Sequence, residues 1–252
     1  MARHLIQGRE IAMPVRIRDA SVCSASYLVR ADAARAVIAY SGLDVAEVLP
    51  GKALCTLVFV DYADSDLDAY REFGVAFLVR PPGAGPPPPR GLRAGLSELR
   101  RAGAGAFIHW LPVDQGFTME AGRTIWGFPK ELADIDLRLS SPYKRCILRK
   151  DGRLVLDLLV KPGVPVPGGG TMAPVDAYSH LDGVTRRIPW SMSPRGVRMR
   201  PGGALIRLGN HPVAKELSEL GLPKLALMTS TVSHLTMTFG EAKELQRPRT
   251  GR

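Results

Sequence analysis

The residue type best suited to covalent chemistry stands in an apolar setting at 120–133, which reads EAGRTIWGFPKELA. Lys130 follows two aromatic rings and a proline and directly precedes a glutamate. Burial of an ammonium without a partner favours its neutral form, and a neutral lysine is a nucleophile. It attacks a ketone carbonyl, and the resulting iminium weakens a neighbouring bond to carboxylate or to carbon. The segment predicts a Schiff-base lysine, and the alternative is an exposed lysine paired with Glu131 or Glu120.

The residues before Lys130 could supply the dry environment that this chemistry needs. Gly127 permits a sharp turn, and Pro129 holds Phe128 in an extended conformation. We therefore expect Trp126 and Phe128 to fold over the amine as a desolvating wall. Aromatic residues near a lysine are common, so the residues alone also allow a loop lysine in solvent.

The same stretch resembles the signature of the acetoacetate decarboxylase family, in which the first lysine after an aromatic-proline pair forms the Schiff base. Gly122, Arg123, Pro129, Lys130 and Leu132 match that signature. Weaker similarity lies in SYLVRADAARAVI, AYREFGVAFLV and AGAFIHWLPVDQ, so the resemblance covers roughly residues 14–160.

The resemblance implies a carbon–carbon lyase for a small keto acid, with Lys130 as the nucleophile and no cofactor or metal. It implies that Glu72, in the segment YRE, is a pocket acid or base, a task that a carboxyl group suits. The expected substrate-binding residues are Arg123, Trp126, Phe128 and Glu120. Arg123 has a second interpretation, as a brace for the loop.

Three positions depart from the family pattern. Glu131 stands where the family has a second lysine, and a carboxylate that points inward would favour the charged amine. Thr56 falls near a second pocket glutamate of the family, and Val22 falls near the arginine that meets the substrate carboxylate. Either Glu131 points away from Lys130, or desolvation alone must favour the neutral amine.

These departures leave several functions open. Decarboxylation of a β-keto acid resembling acetoacetate is the leading hypothesis. Aldol condensation and dehydration through the same lysine are the alternative, with Glu72 moving protons at the carbon next to the imine. A third hypothesis is a catalytically silent relative that only binds a ligand in its barrel.

Composition excludes most other classes. The net charge is +10, but the arginines are dispersed and no nucleic-acid module accompanies them, so we expect no nucleic-acid partner. No apolar run is long enough for a membrane span or an export signal, which predicts a cytoplasmic protein. The chain lacks phosphate-loop, nucleophile-elbow and HExxH patterns, and its three cysteines form no pair typical of zinc sites.

The elements that must position Lys130 are mostly strands. Apolar runs of strand length, several with period-two alternation, recur at 21–29, 53–60, 73–79, 105–111, 153–160, 203–208 and 225–239. Helices are expected at 32–40, 210–220 and 90–102.

The predicted fold is α+β and mainly antiparallel β. It forms a single domain over 1–252 with a proline-rich surface insertion at 81–104. The family resemblance further implies a cone-like barrel with a few flanking helices, with the lysine inside, and assembly into a homo-oligomer.

Overall fold

Strands make up most of the chain. The structure is a computed structural model that describes residues 2–80, 104–166, 175–222 and 224–245. The strands are β1 (Arg3–Ile6), β2 (Arg9–Ala12), β3 (Val15–Arg30), β4 (Glu47–Leu49), β5 (Lys52–Ser65), β6 (Tyr70–Val79), β7 (Gly105–Val113), β8 (Lys130–Leu132), β9 (Asp134–Arg138), β10 (Lys144–Lys150), β11 (Arg153–Val160), β12 (Val164–Pro165), β13 (Val175–Leu181), β14 (Val184–Arg195), β15 (Arg198–Pro201), β16 (Ala204–Leu208), β17 (Met228–Val232), β18 (His234–Phe239) and β19 (Lys243–Glu244).

Short helices flank these strands. They are α1 (Ala31–Ile38), α2 (Gly116–Trp126) and α3 (Pro212–Glu219), and a 3-10 turn at Ala39–Ser41 follows α1. Within the described ranges, no helix is both long and apolar enough to cross a lipid bilayer.

A closed barrel of seven strands forms the centre of the molecule. Strands β3, β18, β14, β13, β7, β6 and β5 pair in that order, and β5 returns to pair with β3. Neighbouring strands run antiparallel except β13 and β7, which are parallel. Strand β8 adds to β7, also in parallel, and brings Lys130 beside Leu111. The predicted mainly antiparallel barrel with flanking helices is confirmed.

The barrel wall separates two hydrophobic cores because successive side chains of a strand point to opposite faces. On β5, Cys55, Leu57 and Phe59 point outward into a core shared with the helices and with the four-stranded sheet β16-β11-β10-β9. Val60 and Tyr62 point inward into the barrel core.

Strand β3 changes the direction of its side chains part-way along. Val15 and Ile17 lie in the barrel core, and so does Ala20, three residues after Ile17. The pairing of β3 with β5 shifts register between Ile17 and Ala20, which marks a β-bulge. After this bulge, even-numbered residues such as Val22 face the interior.

Some predicted elements differ from the structure. The run at 225–239 forms two strands rather than one, because β17 pairs with β15 and β3 whereas β18 pairs with β14 and β3. Helix α2 was not expected. The helix predicted at 90–102 and nearly all of the insertion at 81–104 lie outside the described residues.

Candidate active site

Lys130 is the first residue of β8 and its side chain is only 3% exposed. Its Nζ lies 2.7 Å from Oε2 of Glu72, whose side chain is 10% exposed. Glu72 belongs to β6, which pairs with β7, and β7 in turn pairs with β8. Three adjacent strands therefore bring the two predicted catalytic residues together inside the barrel.

The turn before Lys130 is set by a helix end. Gly127 has a φ of +63°, in the left-handed region that favours glycine, and its N–H donates to the carbonyl of Arg123. The N–H of Phe128 donates to the carbonyl of Gly122. This closed helix end turns the chain from α2 into β8 within three residues and directs Lys130 inward.

The aliphatic stem of Lys130 lies directly on Gly122. A Cβ at position 122 would stand 2.5 Å from Cδ and 2.6 Å from Cε of Lys130, well inside van der Waals contact. The missing side chain at Gly122 thus provides the channel through which the lysine reaches the barrel interior.

Arg123 and Glu120, from the same helix, lie elsewhere. Nη1 of Arg123 donates to the backbone carbonyl of Lys130 at 3.1 Å, which matches its interpretation as a brace. Glu120 accepts a hydrogen bond from Gln7 on the surface at 2.7 Å. Neither side chain is among the described residues that line the cavity beside Lys130, so we leave both out of the proposed site.

Two tyrosines lie beside Glu72, Tyr62 on the neighbouring strand β5 and Tyr70 on β6 itself. The hydroxyl of Tyr62 donates to Oε1 of Glu72 at 3.0 Å, and Tyr62 stacks on Tyr70 with 4.3 Å between ring centroids. Nζ of Lys130 lies 5.0 Å from the centre of the Tyr70 ring. Burial, and then the negative charge of Glu72, raises the pKa of Tyr62 and of Tyr70 well above 10. Both hydroxyls therefore stay protonated at neutral pH.

A cavity of about 140 Å³ opens beside the Lys130–Glu72 pair. Apart from the pair and the two tyrosines, its described lining is aliphatic, aromatic or thioether: Val15, Ile17, Val22, Val58, Val60, Leu67, Ile108, Leu111, Trp126, Phe128, Trp190, Met192, Leu235, Met237 and Phe239. The two expected wall residues, Trp126 and Phe128, are both in this lining.

Glu131 points away from this cavity. Its Oε2 accepts a hydrogen bond from the indole N–H of Trp110 at 3.3 Å and lies 3.4 Å from Nζ of Lys150. Successive residues of a strand face opposite sides, so the inward direction of Lys130 requires the outward direction of Glu131. The sequence left open whether Glu131 points toward or away from Lys130, and in the structure it points away.

The structure also locates Val22 and Thr56, the other two residues that depart from the family pattern. Val22 lines the cavity, so an aliphatic surface stands there. Thr56 pairs its hydroxyl with that of Ser26 at 3.0 Å. The cavity therefore has one cationic side chain in the described part of the chain, Lys130.

Three residues of the site were missed by sequence reasoning. Tyr62 shares the inward face of β5 with Val58 and Val60, so its period-two spacing was an available signal. Tyr70 is two residues from Glu72 on β6 and faces the same way. Trp190 lies on β14, sixty residues after Lys130, and no local pattern connects it to the signature.

The cavity holds one buried lysine within reach of a carboxylate, and the stem of this lysine packs on a glycine where a side chain would clash with it. A family model described as acetoacetate decarboxylase (ADC) matches residues 5–245. The chain belongs to the acetoacetate decarboxylase family. No curated protein sequence matches the chain.

Solved structures of similar fold cover nearly the whole chain. Acetoacetate decarboxylase from Legionella pneumophila subsp. pneumophila str. Philadelphia 1 is 18% identical with a TM-score of 0.68, over 93% of this chain and 88% of that chain. The enduracididine biosynthesis enzyme MppR complexed with pyruvate is 18% identical with a TM-score of 0.62, over 94% and 91%. MppR complexed with the condensation product of pyruvate and imidazole 4-carboxaldehyde is 17% identical with a TM-score of 0.58, over 93% and 90%.

These similarities show the fold that the acetoacetate decarboxylase family shares. In the described part of the chain, no group of three or more His, Cys, Asp or Glu side chains converges as it would around a metal ion.

Proposed function

We propose that the protein is a carbon–carbon lyase that forms a Schiff base between Lys130 and a small β-keto acid and releases carbon dioxide. The single observation that carries the proposal is the position of Nζ of Lys130. It is buried beside a cavity and 2.7 Å from the carboxylate of Glu72. A surface lysine has neither feature.

Glu72 serves as the proton acceptor in the first step. Transfer of a proton from the Lys130 ammonium to Glu72 leaves a neutral amine and a neutral acid. In a poorly solvated site, that exchange removes two charges whose burial costs several kcal/mol each. The amine then attacks the ketone carbon of the substrate. The proton held by Glu72 is transferred to the hydroxyl group as it leaves as water, which produces the iminium and restores the Glu72 carboxylate.

The iminium drives the bond cleavage. The electron pair of the bond between the α-carbon and the carboxyl carbon moves toward the iminium nitrogen as carbon dioxide leaves. The Glu72 carboxylate then takes a proton from solvent and passes it to the resulting enamine carbon, and its hydrogen bond from Tyr62 fixes its orientation. Water then hydrolyses the imine and releases the ketone and Lys130.

The apolar lining favours this direction of reaction. A carboxylate loses hydration when it enters the cavity, whereas carbon dioxide is uncharged and loses little. Glu72 adds a negative charge beside the substrate. Both effects raise the free energy of the bound keto acid more than that of the transition state, in which the charge of the carboxylate moves toward the iminium.

Borohydride trapping tests the Schiff base. The protein is incubated with acetoacetate, pyruvate or acetylacetone, reduced, digested and mapped by mass spectrometry. We expect an adduct on Lys130 in the wild type and none in Lys130→Arg, which keeps the charge beside Glu72 but forms no imine. The matched control is Lys150→Arg, because Lys150 pairs with Glu131 away from the cavity. If no keto compound gives an adduct on Lys130, the protein is a binding relative and not a lyase.

Aldol condensation and dehydration are the second candidate. The contact of Glu72 with both Lys130 and Tyr62 gives one carboxyl group that can accept a proton from the carbon next to the imine and return it elsewhere. The structure of MppR with a condensation product is the related precedent. Incubation with acetoacetate alone, and with pyruvate plus an aldehyde, separates the two, because only decarboxylation releases carbon dioxide.

We also propose that the protein associates with copies of itself. Large apolar side chains are exposed on β16, an edge strand of the four-stranded sheet, and in the segment just before β17, with Leu205 at 56%, Leu225 at 80% and Leu227 at 46% of their surface. Exposed apolar patches of this kind are typical of association surfaces. Light scattering after size-exclusion chromatography should give a mass above 27.3 kDa, the mass of one chain, and Leu225→Glu should lower it.

A further inference from the structure

A buried serine holds the end of helix α2 that leads to Lys130. Ser179 lies on β13 and has no exposed surface. Its hydroxyl donates a hydrogen bond of 2.6 Å to the backbone carbonyl of Trp126, the last residue of α2. The last carbonyls of an α-helix have no partner within the helix, and a buried carbonyl without a partner is unfavourable. Ser179 therefore supplies a contact that the helix cannot make for itself.

An arginine from the next strand lies against the following residue. Arg186 is on β14, directly opposite Ser179 in the register of the two strands. A Cβ at position 127 would stand 2.4 Å from Nη1 of Arg186, so the guanidinium group lies against Gly127. The same Nη1 donates to the carbonyls of Leu181 and Val184 at 3.4 and 3.3 Å, which ties it to the β13–β14 turn. Directly opposite residues share a face of a sheet, so one face of this hairpin contacts the end of α2.

The indole ring of Trp126 is held as well. Its N–H donates to the carbonyl of Gly240 at 2.9 Å, in the segment between β18 and β19. Trp126 is therefore fixed both at its backbone and at its ring, and the ring lines the cavity.

The position of this helix end determines where the amine of Lys130 lies. Only three residues separate Trp126 from Lys130, and the stem of the lysine lies on Gly122 of the same helix. Glu72 is held separately, by the pairing of β6 and by its hydrogen bond from Tyr62. A displacement of α2 against β13 therefore moves Nζ of Lys130 relative to the carboxylate.

We infer that Ser179, together with Arg186, is a positioning residue for the reactive amine, because the β13–β14 hairpin fixes the end of α2 and thereby directs Nζ of Lys130 toward Glu72. This inference rests on the proposed Schiff base at Lys130. Ser179 is not among the described residues that line the cavity, so it acts through Trp126 and not on the substrate. Loss of its contact should slow imine formation without changing how the ketone binds.

Ser179→Ala tests the inference, because it removes the hydroxyl with little change in volume. The matched control is Ser41→Ala. Ser41 is also buried, and its hydroxyl donates to the carbonyl of Ile38, the last residue of α1, at 2.7 Å. Each variant leaves a helix-end carbonyl without its donor, so the midpoint of urea unfolding should fall in both. Only Ser179 contacts the helix that leads to Lys130.

The reaction to measure is formation of the adduct between Lys130 and acetylacetone, followed by its absorbance over a range of ketone concentrations. In Ser179→Ala the rate at saturation should fall by about 10- to 100-fold, since misplacement of a reacting group by about 1 Å costs about that much. The half-saturating concentration should stay unchanged. In Ser41→Ala both values should equal those of the wild type. If the two variants react at the same rate, Ser179 supports only the fold and the inference is overturned.

A second pair of variants tests the same hairpin if Ser179→Ala does not fold. Arg186→Lys removes the guanidinium group from Gly127 and should also lower the rate at saturation. The matched control is Arg187→Lys, because Arg187 is the next residue and pairs instead with Asp176 at 2.7 Å. Wild-type rates in both arginine variants contradict the inference.

A further measurement separates this inference from the Schiff base itself. In protein labelled with 15N-lysine, the Nζ resonance of Lys130 is identified by its absence from Lys130→Arg. Ser179→Ala should shift this resonance, because the distance from Nζ to the Glu72 carboxylate changes, and Ser41→Ala should not. An unshifted resonance in Ser179→Ala contradicts the inference. A shifted resonance in a protein whose wild type forms no adduct contradicts the lyase and leaves the positioning role supported.

Discussion

At the scale of single residues, Lys130 and Glu72 depend on each other. Their side chains are 3% and 10% exposed, and each charge alone would be costly to bury. Removal of one partner of such a pair usually destabilises a protein by about 3–5 kcal/mol. The proposed reaction uses this dependence, because transfer of one proton from the Lys130 ammonium to the Glu72 carboxylate removes both charges together.

Glu72→Gln tests the proton transfer. The amide cannot accept the proton of Lys130, so we expect the rate of adduct formation to fall by about 10²- to 10⁴-fold, the usual contribution of a general base. The matched control is Glu131→Gln, since Glu131 adjoins Lys130 in sequence but faces Trp110 and Lys150. Equal losses in the two variants, measured by single-turnover trapping, would contradict the role of Glu72.

Alkaline pH tests the environment of Tyr62. Its pKa is well above 10 in the folded protein and about 10 in the unfolded chain. As pH rises, the unfolded chain therefore loses this proton before the folded protein does. The contribution of Tyr62 to the free energy of unfolding is fully present below pH 10 and decreases as pH rises toward the folded pKa. Each such tyrosine should lower the free energy of unfolding by about 1.4 kcal/mol per pH unit in that range. Tyr62→Phe should reduce this slope in urea titrations at pH 9 to 11.5, and an unchanged slope would refute the burial argument.

At the scale of elements, helix α2 and strand β8 form one positioning unit. The helix ends at Gly127, the strand begins at Lys130, and Arg123 bonds back to the carbonyl of Lys130. The lysine stem lies where Gly122 has no side chain. The geometry of the reactive amine therefore depends on how closely this helix approaches the strand.

Gly122→Ala tests this close approach. The added methyl group would meet Cδ and Cε of Lys130 and push the amine away from Glu72. Misplacement of a reacting group by about 1 Å can cost about 10²-fold in rate, which is the loss we expect in trapping experiments. Gly116→Ala is the matched control, because a methyl group on this other glycine of α2 meets no atom within 4 Å. A fully active Gly122→Ala protein would show that the lysine tolerates displacement.

How much the sequence predicts differs between elements. Alternation of apolar residues predicts strands such as β5 and β6, because each has one face in each core. Helix α2 has no strong start signal, and its first turn carries no acidic residue, so its existence follows from packing and not from local preference. Similarly, the context of Lys130 predicts the nucleophile, whereas Trp190 reaches the site only through the order in which the barrel strands pair.

At the scale of the whole molecule, the barrel wall divides an interior that contains the cavity and the Lys130–Glu72 pair from an outer apolar core. Cys23, Cys55 and Cys146 all lie in the outer core and are fully buried. Burial raises the pKa of the Cys55 thiol to about 12 and raises the pKa values of the other two as well. The thiolate is the reactive form of cysteine. Burial keeps reagents away from these thiols, and the raised pKa keeps them protonated.

Thiol labelling measures the integrity of this outer core. At pH 8, an aromatic disulfide reagent should label none of the three cysteines in the folded protein. The same reagent should label all three in the chain unfolded in guanidinium. Because exposure requires opening of the outer layer, the labelling rate should follow global unfolding when urea is increased. Rapid labelling of any one cysteine in the native protein would indicate that its strand opens separately.

The irregular register between Ile17 and Ala20 has a consequence for the length of this segment. It shifts the inward and outward alternation of side chains by one residue, and this shift sets the orientation of every later side chain of β3. Deletion of Asp19 alone would remove the extra residue and leave Ile17, Ala20 and Val22 on the inward face of a regular strand. Deletion of one residue from the regular part that follows, such as Ser21, would instead turn Val22 outward and bring Cys23 and Tyr27 into the barrel interior. Beyond the irregular register, the length of β3 can therefore change by two residues, but not by one, without exchanging the contents of the two cores.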